Sequence, residues 1–155
     1  SPWYMPLPHV AVGLGADGCL WVNAPLVCPR RLQTHDLAQL HPDGRRFRIL
    51  GRRDNVVCSG GLKLHLEALE EALRPHVDVP FQFSKVPDSQ LGEAAVLLVT
   101  RGDREVLARL CHAVMPRHWA PRHILLVPSL PLTDSGKPAR AEAQRLAIRF
   151  LSSKG

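Results

Sequence analysis

Residues 51–73 read GRRDNVVCSGGLKLHLEALEEAL, and this stretch decides the fold. It opens on a charged knot, Arg52-Arg53-Asp54. "NVVC" is a short β-branched strand, and Ser59-Gly60-Gly61 breaks it. Leu62, Leu66, Leu69 and Leu73 then recur at helical spacing, and Pro75 closes that helix. The segment Gly51 to Asn55 is therefore the expected joint between two kinds of structure.

Upstream, residues 1–53 read as β. "CLWVNAPLV" (19–27) follows the turn dipeptide Asp17-Gly18, and "RFRIL" (46–50) alternates charged and apolar side chains after "HPDG". No helix of normal length fits there. Downstream, "PFQFSKV" (80–86), "AAVLLVT" (94–100) and "HILLV" (123–127) read as strands. Asp103 can cap a helix whose apolar face is Val106, Leu107, Leu110 and Val114, stopped by Pro116. A last helix carries Ala143, Leu146, Ala147, Phe150 and Leu151 at i, i+3, i+4, i+7, i+8, with Pro138 at its first position. The expectation is an α+β protein: a small antiparallel β portion over 1–53, followed by an α+β domain over 54–155.

Composition narrows the function. Hydrophobic residues make up 45% of the 155 residues, enough for a packed core. No apolar run reaches the roughly 18–20 residues of a membrane span, and the start has no signal-peptide pattern, so no membrane is expected. The chain opens on Ser1 rather than methionine, which suggests a piece of a longer chain. The four cysteines, Cys19, Cys28, Cys58 and Cys111, form no C-x-x-C pair. They read as buried, reduced thiols of a cytoplasmic protein. The eight histidines are dispersed without an H-x-x-x-H pair, so no metal site is expected. The net charge of +6 favours an anionic partner. The positive residues come as short pairs, and only four Phe, three Trp and one Tyr are present, so phosphate-bearing small molecules fit at least as well as nucleic acid.

Three short segments carry chemistry. In "GRRDNVVCSGG" a guanidinium offers forked donors to a phosphate or ribose oxygen, though such a knot is also an ordinary surface salt bridge. Asp54 could act as a hinge, and Gly60-Gly61 lets a backbone approach a ligand. In "THDL" (34–37), Asp36 either caps a turn or accepts hydrogen bonds from ribose hydroxyls. In "PLTDSGKPAR" (131–140), Ser-Gly-Lys is not a P-loop: Pro131 or Leu132 stands where its first glycine is needed, and Pro138 follows the lysine. Taken alone, Lys137 is a turn lysine.

The order of these segments is distinctive: T-x-D, then G-R-x-D-x-x-x-x-S-G-G, a helix bearing Glu70, and P-x-T-x-S-G-K-x-x-R. It resembles the C-terminal third of the acyl-adenylate-forming superfamily, the AMP-dependent synthetases and ligases, from about Asp17 onward. That resemblance implies an α+β lid domain preceded by the end of a large N-terminal domain. It implies an acid–thiol ligase: a carboxylic acid and ATP, with Mg2+, give an acyl-adenylate, and coenzyme A then takes the acyl group. By the same resemblance Asp36 and Arg52 are nucleotide-binding, Asp54 is the hinge, Gly60 and Gly61 line the pantetheine channel, and Lys137 is catalytic in adenylation. His35 stands where the family usually has glycine.

The family also needs a Thr/Ser/Gly-rich phosphate loop, and this chain has only Thr34, Thr100 and Thr133. The expected partner is therefore a missing N-terminal domain of the same chain, with this part alone inactive and binding no cofactor. "DGCLWVNAPLV", "HDLAQL" and "SGGLKLHLEALEEAL" look most like O-succinylbenzoate–CoA ligases of menaquinone synthesis. The alternatives are a ligase for another carboxylic acid and a basic nucleic-acid-binding module.

Overall fold

The computed structural model describes residues 2–153. The chain forms two compact units, one up to Val56 and one from Val57 onward. The first is a four-stranded antiparallel meander of β1 (Ala11–Leu14), β2 (Cys19–Asn23), β3 (Leu32–Leu40) and β4 (Phe47–Arg52), in sequential order. Asp17 accepts from the Cys19 backbone N–H at 3.0 Å, and Gly18 at φ +81° turns the chain into β2. β2 ends at Asn23, four residues short of the expected strand. Pro25 has no N–H to give to a ladder, and Ala24 begins a turn that leaves Leu26 and Val27 exposed. β3 was not expected: "LQTHDLAQL" is mostly polar, and it forms because it lies between β2 and β4 and pairs with both.

β5 (Val56–Ser59) begins at the boundary residue, and the second unit carries it on through β6 (Leu62–His65) into α1 (Leu66–Leu73). The expected helix from Leu62 therefore begins one turn late. Gly60 and Gly61 sit at φ +58° and +84°, both positive, as a two-residue I′ hairpin turn requires. The turn sends residues 62–65 back along β5 before the helix starts. Leu62 is half exposed, and Leu64, Leu66, Leu69 and Leu73 are buried.

β7 (Phe81–Asp88), β8 (Gly92–Val99) and β9 (His123–Leu126) complete a five-stranded sheet, and α2 (Arg104–Val114) is the crossover between β8 and β9. β9 runs parallel to β8, with Val96 opposite His123, and a parallel pair needs such a crossover. β8 reads as an unbroken apolar run because both its faces are covered. Ala95, Leu97 and Val99 pack with Phe83 against α1 and α2. Ala94, Val96 and Leu98 pack with Val86 against Ala143 and Ala147 of α3 (Arg140–Ser153).

Asp103 caps α2, accepting from the backbone N–H groups of Glu105 at 2.9 Å and Val106 at 3.2 Å. On α2, Leu107 and Cys111 are buried and Leu110 and Val114 pack partly buried against the same core, whereas Val106, expected on that face, is exposed. Pro138 precedes α3 by two residues, held in a bridge with Leu132 that keeps it extended. The thiols also split. Cys19 and Cys111 are buried, but Cys28 is half-buried and Cys58 exposed, because β5 turns that side chain outward. Asp103→Ala should lower stability by about 1 kcal/mol, read as a shifted urea midpoint, while Asp103→Asn should keep most of it.

Candidate functional site

In the β unit the ladder register places Asp36 on β3 opposite Arg52 on β4. Their side chains meet, the Arg52 Nη1 donating to Asp36 Oδ1 at 3.1 Å. Thr34 braces this strand from within: its hydroxyl donates to the Leu20 carbonyl at 2.7 Å and accepts from the Asp36 N–H at 3.2 Å. Both members of the ion pair keep substantial exposure, so the pair is open to solvent on one side. Arg53 reaches back to Asp17 at 3.2 Å. Cys19 N–H, and to a lesser degree Arg53, hold the Asp17 carboxyl below its ordinary value. Asp54 lies in the single 3-10 turn Arg53–Asn55 with its side chain largely in solvent.

In the α+β unit the Gly60-Gly61 turn is exposed, and its base is tied down. Gly60 N–H donates to the Leu91 carbonyl at 2.9 Å, and Cys58 N–H donates to Glu93 Oε1 at 2.9 Å. A Cβ at Gly61 would meet nothing within 4 Å, so it is the positive φ and not crowding that demands glycine there. A cleft of about 800 Å3 lies beside the turn, bordered by Leu91, His112, Arg117 and Arg122. Arg122 is fixed in it by Asp88 at 3.1 Å and Gln90 at 3.1 Å. Asp88 in turn accepts from the N–H groups of Leu91 and Gln90, and these bonds, first Leu91, hold its carboxyl below the ordinary 3.8.

Lys137 is exposed on a small closed loop. Its carbonyl accepts from Thr133 N–H at 2.7 Å, and its own N–H donates to Thr133 Oγ1 at 3.2 Å. Gly136, at φ +82°, makes the bend. Three residues on, Arg140 enters the interior. Its Nη1 and Nη2 grip the Glu70 carboxylate at 2.7 and 2.8 Å, and Nη1 also donates to the Phe83 carbonyl at 3.1 Å. Glu70, 6% exposed, accepts from the Phe83 N–H at 3.0 Å as well. One fork thus ties α1, β7 and the start of α3 together at the foot of the lysine loop.

Among the candidates from the sequence, Asp36 and Arg52 are brought into contact, and Gly60 and Gly61 share one turn. Lys137 and Asp54 have no such partner among these residues. In the sequence, Arg140 and Glu70 stand only as members of the motifs. Their contact joins positions 70 residues apart, which no local pattern announces.

Residues 68–137 match the family model of the AMP-binding enzyme C-terminal domain. Phenyloxazoline synthase MbtB of Mycobacterium tuberculosis is 33% identical over 186 aligned positions, spanning 99% of this chain and 13% of that protein. The 2-hydroxy-7-methoxy-5-methyl-1-naphthoate–CoA ligase of Streptomyces carzinostaticus is 32% identical over 127, spanning 74% of this chain and 22% of that one. The amide bond synthetase McbA of Marinactinospora thermotolerans superposes with a TM-score of 0.73 at 24% identity, over 92% of this chain and 35% of that chain. E. coli MenE, bound to an analogue of OSB-AMS, superposes with a TM-score of 0.67 at 21% identity, over 94% of this chain and 35% of that one. The fold is therefore that of the C-terminal part of the adenylate-forming enzymes. Within it, the segment 68–137 is the part that matches the AMP-binding C-terminal domain, and the relatives are synthetases and CoA ligases.

Two outcomes follow from the ion pairs. Arg140→Met should cost about 3–5 kcal/mol in urea unfolding, because it strands a buried carboxylate, and adding Glu70→Leu should recover most of the loss. Asp88 has a folded pKa below its unfolded one, so its stabilisation is present above 3.8 and lost as pH falls through the folded value. Asp88→Asn, which keeps the acceptor without the charge, should therefore flatten the fall of thermal midpoint with acid below about pH 4.

Proposed function

We propose that this chain is the closing end of an ATP-dependent acyl ligase and presents two different faces to two half-reactions. The observation that carries the reading is an exposed Lys137 on a self-closed loop whose foot is locked by Arg140 and Glu70. In the first half-reaction a substrate carboxylate oxygen attacks the α-phosphorus of ATP and pyrophosphate leaves. Two anions must approach, and a positive charge held at a fixed height over them lowers the barrier by orientation and charge stabilisation. Lys137 supplies that charge. The nucleotide's ribose hydroxyls and phosphate meet the Asp36 carboxylate and the Arg52 guanidinium, already held together at 3.1 Å and open to solvent.

In the second half-reaction a thiol loses its proton to solvent and its sulfur attacks the acyl carbon, and AMP leaves. The Gly60-Gly61 turn has no side chain to obstruct a slender pantetheine arm, and Asp54, in a one-turn segment with a solvated side chain, is the pivot between the two presentations. Among the described residues no group of three or more His, Cys, Asp or Glu could hold a metal ion. In this reading the Mg2+ of the reaction is carried on the phosphates of ATP. We assign the thiol to coenzyme A and the acid to O-succinylbenzoate, the sub-family whose sequence stretches this chain most resembles. An aromatic acid is further supported by the naphthoate-specific ligase among the relatives.

In the full-length protein, Lys137→Ala should slow adenylate formation about 10²–10³-fold and spare thioester formation from supplied acyl-adenylate. Gly61→Leu should do the reverse. Equal losses in both steps for either variant would sink the division of labour, and pyrophosphate release with O-succinylbenzoate against a panel of aromatic and amino acids decides the acid.

A further inference from the structure

The lysine loop has a second foot. Gln82 on β7 is 2% exposed, and its Nε2 donates to the Pro131 carbonyl at 2.8 Å. That carbonyl also accepts from the Ala139 N–H at 3.0 Å, so one oxygen ties β7 to both strands of the loop. Gln82 and Phe83 are neighbours on β7 and face opposite sides of the sheet. The side chain of the first holds the incoming end of the loop, and the carbonyl of the second helps hold Arg140 at the outgoing end.

The amide's orientation is not arbitrary. A carbonyl can only accept, so Nε2 must point at Pro131 and Oε1 must point away from it. Among the described residues no donor reaches that buried Oε1. A buried acceptor left unmade opposes folding, whereas an apolar side chain of the same length would not carry that penalty. Leu98 stands opposite Gln82 in the ladder and belongs to the apolar layer on that face of the sheet, against which such a side chain could pack. A side chain with one unmet acceptor and one donor spent on the lysine loop points to a role beyond packing.

We propose that Gln82 is a positioning residue for Lys137, fixing the height of the lysine loop over the sheet through the Pro131 carbonyl. The role rests on the adenylation reading of Lys137. From Pro131 the restraint passes through the Leu132–Pro138 bridge and the Thr133–Lys137 pair, each a short backbone link, so little slack remains between β7 and the lysine.

The test compares Gln82→Met, which keeps the length and removes the donor, with Gln82→Asn, which keeps the amide and cannot reach. Both should speed amide exchange at Ala139 and Thr133, and in the full-length protein both should lower the kcat of adenylate formation about tenfold with little change in KM for ATP. Thioester formation from supplied acyl-adenylate should not move. Their stabilities should diverge, Met unfolding no earlier than the parent and Asn earlier, so a shared kinetic defect could not come from lost stability. Unchanged exchange at Ala139 and Thr133 in Gln82→Met would overturn the restraint itself. Faster exchange with an unaltered adenylation rate would overturn its role, and so would a kinetic loss in Asn alone. If Lys137→Ala also leaves adenylation untouched, it is the reading of Lys137 that has failed, and that result is separate from the exchange measurement.

Discussion

A guanidinium and a carboxylate buried together cannot be half made. Once Glu70 is packed on the inner face of α1, its charge must be met, and the fork of Arg140 meets it while taking up the Phe83 carbonyl. Everything after β9 depends on that constraint. The first residue of α3 is pinned at a fixed point on the sheet, Ala143 and Ala147 follow it onto the second core face, and the segment just before it has nowhere to go but outward. An exposed lysine at a defined place is a by-product of an arginine, three residues later, that is committed to a buried carboxylate.

The same economy governs the sheet. β8 is apolar at almost every position because α1 and α2 cover one face and α3 the other. Small residues decide how near a helix can come: Ala94 and Ala95 on the strand, Ala143 and Ala147 on the helix, are all nearly or fully buried. With helices this close, the ends of the loops joining them to the sheet are held, which is what a site built on loops needs.

Much of this was legible from residues alone, where periodicity was strong. β7, β8, β9, α2 and α3 announce themselves through apolar runs or helical stripes, and Asp103 declares its cap. Two failures have physical causes. Leu62 and Leu66 are four apart, which mimics a helix, but Gly60-Gly61 is also the signature of a tight hairpin, and the hairpin prevails because β5 supplies a ladder. β3 carries Gln, Thr, His and Asp in a row, and only its two neighbours make it a strand. For the site, the letters of the motifs marked positions, whereas the contacts needed the fold. Asp36 meets Arg52 through strand register, Glu70 meets Arg140 across most of the second unit, and Gln82 sits in an apolar strand with no pattern to single it out.

The lysine loop closes on itself through Thr133, Gly136 and Lys137, and its tip residues Asp134 and Ser135 are exposed. Those short bonds close beneath the tip, so a group attached there projects into solvent from a loop whose ends are held. A small fluorophore on a cysteine introduced at Asp134, with the native exposed Cys58 first replaced by serine, would ride on the α+β unit as a rigid pointer. Its distance to a second dye on the β unit would read the separation of the two units directly.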